Sequence, residues 1–92
     1  MIKDREVAMV NAASLALEYK TNHPRAWNDD AVAYAFKNLN AKSDLKLFGV
    51  AAANEILKLR EQHMELNDKQ LIQHFVDNIY HLLAKMEEGM HE

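Results

Sequence analysis

Apolar residues along this chain recur at steps of three and four, broken at only a few places. That is the period of an amphipathic helix rather than of a strand. The pattern predicts four helices, over about residues 3–21, 29–39, 44–64 and 68–88. In the first, Glu6, Asn11, Ser14 and Glu18 form a narrow polar arc, and the remaining surface is wider than one neighbour can cover. Asn22-His23-Pro24 ends it, because the residue before proline is pushed out of the α region. The second helix is short and is expected to bury Val32, Ala35, Phe36 and Leu39. The third carries two apolar seams, one through Leu45, Phe48, Ala52 and Leu59, the other through Gly49, Ala53, Ile56 and Leu57. Two seams mark it as the central helix. The fourth has a single stripe from Leu71 through Phe75, Ile79 and Leu83 to Met86.

The breaks carry capping residues. Asn28, Ser43 and Asn67 each stand before an apolar-periodic run, where a short polar side chain accepts the unpaired amides of a first turn. Asn67 is the strongest of the three, with Gln70 at the capping-box position and Leu66 and Leu71 at staple spacing. Trp27 and Val32 stand at similar spacing around Asn28, and Asp29 and Asp30 favour the positive end of that helix. No internal repeat, low-complexity tract or linker is read from the chain. The expected fold is all-α: a single domain over residues 1–92, forming a compact, irregular four-helix bundle of long, short, long and long helices.

Composition narrows the picture. About half the residues are apolar, with two glycines and one proline, too few turn residues for a β-sandwich. The net charge of −3 offers no bulk attraction to nucleic acid or anionic lipid. Cysteine is absent, which fits a reducing compartment. No apolar run approaches the ~20 residues of a membrane span, and the charged amino-terminal segment does not read as a signal peptide. A cytoplasmic protein is expected.

Reactive constellations are scarce. Ser14 lies on a helix face and Ser43 at a cap, no thiol is present, and the two glycines are too far apart to cradle phosphate. No enzyme activity, cofactor or metal site is expected. His74, Asp77 and His81 share one face of the fourth helix, but that face is opposite the apolar stripe, and the histidines are about two turns or ~10 Å apart. Arg60 and His63 fall on the apolar side of the third helix, as candidate buried polar or ligand-contacting residues. Helices two and three also permit a helix-turn-helix reading and nucleic-acid binding. The second of these helices begins Asp44-Leu45-Lys46-Leu47-Phe48, however, with apolar residues where base contacts belong. Apolar surface is the better-supported feature: Tyr19, Trp27, Leu47, Val50, Ala51 and Leu57 are candidate interface residues. The function expected is therefore a non-catalytic protein–protein interaction module, a homodimer or the small subunit of a larger protein.

Ile56-Leu57-Lys58-Leu59-Arg60-Glu61-Gln62, Glu65-Leu66-Asn67, Leu71-Ile72, Val76 and Tyr80 resemble the central hairpin of the enterocin A type of bacteriocin immunity proteins, over about a third of the chain. The resemblance implies a small cytoplasmic helical bundle that protects a bacteriocin producer at a membrane sugar-transporter receptor. It carries over no functional residues.

Overall fold

The computed structural model describes residues 1–90 and is all-helical, with α1 over Arg5–Asn22, α2 over Asn28–Asn38, α3 over Ser43–Gln62, α4 over Asp68–Asp77 and α5 over Ile79–Met90. Five helices replace the expected four, because the long fourth helix is broken at Asn78. The Asn78 side-chain amide donates to the His74 carbonyl at 2.9 Å, and its backbone N–H reaches Phe75 O at 3.1 Å. This tight turn leaves Asn78 at φ −114°, ψ 7°, outside helical geometry, and the helix restarts one residue later.

Caps are divided between local and tertiary control. Asp4 caps α1, its Oδ1 accepting from Glu6 N at 2.9 Å and Val7 N at 3.2 Å. Asn67 and Gln70 form the expected reciprocal box at 2.8 and 2.9 Å. Asn28 and Ser43, by contrast, are the first residues of their helices rather than caps. The cap position of α2 is Trp27, whose N–H is held by Asp30 Oδ2 at 3.3 Å, and Asn28 instead donates to Glu61 Oε1 at 2.8 Å. At α3 the cap position is Lys42, without a side-chain cap. The start of α3 is fixed from outside, by a parallel bridge between Ile2 and Ala41 in which Ile2 N–H donates to Asn40 O at 2.8 Å.

Buried residues from all five helices form one core, and the α1–α3 contact is its largest interface. Small side chains permit the approach: Ala8, Ala12, Ala13 and Ala16 on α1, and Gly49, Ala52 and Ala53 on α3, are buried. Against expectation, Phe36 lies at the surface, as does Val76 of α4, and Ala31, Ala35 and Leu39 are the buried positions of the second helix and its end.

Although no repeat is evident from the sequence, the fold contains one. The segment α1–turn–α2 recurs as α3–turn–α4 at an offset of 40 positions, so that His23 corresponds to His63. His23 (φ −135°, ψ 68°) and His63 (φ −128°, ψ 64°) end their helices alike, each N–H donating to a carbonyl four residues back. Ala26 and Leu66 then donate to the His23 and His63 carbonyls at 3.0 and 3.1 Å. The two hairpins also touch reciprocally: Thr21 Oγ1 donates to Asp68 Oδ2 at 3.0 Å, and the equivalent positions 61 and 28 are joined by the Asn28–Glu61 bond. Reciprocity of this kind is the mark of an approximate two-fold relation. Helix α5 has no counterpart.

Candidate functional site

The residues singled out from the sequence do not converge. Leu57 is 2% exposed and belongs to the core, so it is not an interface residue, its place on the second seam of α3 being turned fully inward. Tyr19 is half-buried, with its ring centroid 5.1 Å from that of Tyr34 and 4.6 Å from that of His23. Val50 and Ala51 are half-buried on α3, whereas Leu47 is 61% and Trp27 82% exposed. Arg60 is half-buried. His63 is not a core histidine. It ends α3, its ring lies 5.0 Å from that of His74, and its Nδ1 is 3.5 Å from Glu65 Oε1. In the first hairpin the equivalent residues, His23 and Tyr34, each pack against the Tyr19 ring.

Among the described residues the buried charged side chain is Lys20, which no periodic pattern marks. Its Nζ donates to Ala26 O at 2.6 Å and closes the α1–α2 turn. A lysine in the last turn of a helix is well placed for such a bond, near the negative end of the helix dipole.

Exposed apolar side chains gather where three helices meet. Val7 and Val10 of α1, Val76 of α4, and Ile79 and Tyr80 of α5 line a groove of about 330 Å³ with Glu6 at its edge. Tyr80 is 72% exposed. The positions equivalent to Val7 and Val76 are Leu47 and Phe36, which are also exposed. Lys46 Nζ stands 5.0 Å from the Phe36 ring centroid, so the end of α2 lies beside the first turns of α3. The two-fold relation thus yields a pair of equivalent apolar patches, one at α1–α4–α5 and one at α2–α3. The exposure of Phe36 and Val76 was hidden by their place in regular apolar periods, whereas Val7 and Tyr80 stand on the polar faces of their helices.

A third groove, of about 480 Å³, runs between α1 and α4, with Leu17 and Ile72 at its floor and Glu18 and Lys69 among its walls. Neither Arg60 nor His63 lines it. Of the three polar residues on the outer face of the fourth predicted helix, His74 and His81 line one cleft with Glu55 and Lys85, His74 also contacting Asn78 and His63, whereas Asp77 accepts from Gln73 at 3.0 Å. Among the described residues no three histidine, aspartate or glutamate side chains come together as a metal site, and no helix is long and apolar enough to cross a membrane.

No family model, curated protein or solved structure matches the chain. The positions that carry the resemblance to immunity proteins serve hairpin geometry: Leu57, Leu59 and Leu71 are core, and Asn67 is a cap.

Proposed function

We propose that this is a non-catalytic protein–protein interaction module of the cytoplasm, acting by self-association or as the small subunit of a larger protein. The observation that carries the reading is the apolar groove in which Val7, Val76 and Tyr80, from three helices, stand exposed together over half-buried Val10 and buried Ile79. Single exposed apolar residues are ordinary, but a contiguous group with an aromatic and a charged edge has the make-up of a protein interface. Docking of helix faces there removes apolar area from water, and the charged rim selects the partner.

The test is a photo-crosslinking residue placed singly at Tyr80 and at Leu47 and activated in cells. A discrete protein adduct at either site, identified by mass, is expected. Absence of protein adducts at both, with efficient crosslinking at a control site, overturns the reading.

A further inference from the structure

We infer that the occupant of the α1–α4–α5 patch is the α2–α3 patch of a second copy of this chain, so that copies join head to tail. The inference rests on the interaction-module reading and specifies its partner. Its basis is charge complementarity. Seven positions carry a charged residue in both hairpins, and at five of them the sign is reversed: Glu6/Lys46, Glu18/Lys58, Arg25/Glu65, Asp29/Lys69 and Lys37/Asp77. All ten side chains are exposed or half-buried. The two positions that keep their sign have structural reasons to do so. Asp4/Asp44 stand at helix N-termini, where a carboxylate suits the dipole, and Lys20/Arg60 stand in the last turn, where a cation does.

The two apolar patches inherit this reversal. The first has Glu6 at its edge, and the second has Lys46 over Phe36, with Lys37 next to Phe36 in the chain. Docking two α1–α4–α5 patches would face two rims that both carry Glu6 and, next to Val76 in the chain, Asp77. Docking two α2–α3 patches would face two rims that both carry Lys46 and Lys37. The unlike pairing instead sets acidic rim residues against basic ones and covers Val7, Val76 and Tyr80 with Leu47 and Phe36. Exposed charge pairs add little affinity, but like-charge contacts are strongly disfavoured, so the rim decides the pairing while the apolar centre drives it. Half a turn separates the two patches on one molecule, so each added copy leaves one of each kind free. That is a heterologous contact, which extends unless its geometry closes a ring.

Light scattering over a micromolar-to-millimolar series of the full chain gives the test. The mass is expected to rise past that of a dimer and to fall when salt is added. Leu47→Asp and Tyr80→Asp each remove one patch. Both positions are exposed, Tyr80 in the first turn of α5 and Leu47 in the second turn of α3, and circular dichroism checks the fold. Each variant alone is expected to stay monomeric, while an equimolar mixture forms a dimer and nothing larger, through the one intact pair of patches. Glu6→Lys and Lys46→Glu should each weaken association by about tenfold, and the double swap should restore it. A wild-type chain that stays monomeric throughout overturns the inference. So does a mixture of the two aspartate variants that fails to dimerise, or a double swap weaker than either single variant. If crosslinking at Tyr80 or Leu47 then captures only a different protein, the inference fails while the interaction-module reading stands.

Discussion

Single residues set the ends of the helices and the closest approach between them. Asn67 satisfies two amides through its box with Gln70, so Asn67→Ala should cost about 1 kcal/mol in denaturant unfolding. Ser43 has the same sequence credentials but makes no cap, so Ser43→Ala should stay within about 0.5 kcal/mol of wild type. Gly49 is constrained by contact: a Cβ there would meet Leu39 Cδ2 at 2.6 Å and Ala12 Cβ at 3.2 Å. Leu39 is itself buried and has little room to yield. Helix propensity favours alanine by ~1 kcal/mol, overpacking costs ~1–3 kcal/mol, and Gly49→Ala should be destabilising on balance, with a lowered melting midpoint. Asp4 gives an acid limb to stability. Hydrogen bonding with the Glu6 side chain, then the Val7 and Glu6 amides and the charge of Arg5, hold its carboxyl below the ordinary 3.8. A lowered folded value means that the stabilisation is complete above 3.8 and is lost as pH falls through the folded value. Asp4→Asn, which keeps a capping oxygen, should flatten the fall in melting midpoint over that acidic range.

Helices were legible wherever their signals were local. The Asn67–Gln70 box and the stop at His23-Pro24 each depend on a few neighbouring residues, and both were read correctly. Ser43 misled because the start of α3 is set by the Ile2–Ala41 bridge, a contact between distant parts of the chain. The α4–α5 break was illegible for another reason. Its apolar stripe runs straight through, with Phe75, Ile79 and Leu83 all buried, and the interruption is the tight bond of the Asn78 N–H to Phe75 O. The Asn78 side chain also bonds the His74 carbonyl, as Asn11 and Asn54 bond Val7 O and Val50 O within unbroken helices, so a substitution decides whether it contributes. Asn78→Ala deletes the competing bond and supplies the best helix former, so α4 and α5 should merge. Nuclear Overhauser contacts between residues 75 and 78 and their successors in an unbroken α-helical pattern would establish the merger, with a gain in helical ellipticity. A turn retained at residue 78 would show that packing of Ile79 and Leu83, not the asparagine, imposes it.

At the scale of the molecule, two hairpins share one fold with few shared letters. Asp4/Asp44, Val10/Val50, Ala12/Ala52, Ala13/Ala53, Leu17/Leu57, His23/His63 and Asn38/Asn78 are the identical pairs. Packing explains why so few remain. Where the first hairpin is small the second is large, as in Ala16/Ile56, Ala31/Leu71 and Ala35/Phe75, all buried. A core constrains the total volume filled, so a loss on one side is made up on the other while the backbone stays equivalent. The candidate surface was only partly visible for a related reason: Leu47 is an evident exposed apolar residue, but Phe36 and Val76 sit in periods that read as buried. The same architecture predicts how stability is distributed. Helices α1 and α3 meet across the largest interface, at alanine- and glycine-lined contacts with little room for water. Helix α5 has no partner hairpin, buries only Ile79 and Leu83 among its described side chains, and is tied to α1 by a half-exposed Arg5–Glu87 pair at 2.9 Å. Native-state amide exchange should therefore be slowest along the buried faces of α1 and α3 and should open α5 first, at a free energy below that of global unfolding. Equal protection across α5 and α3 would mean that the chain unfolds as one unit, and that the appended helix is as integral as the repeated hairpins.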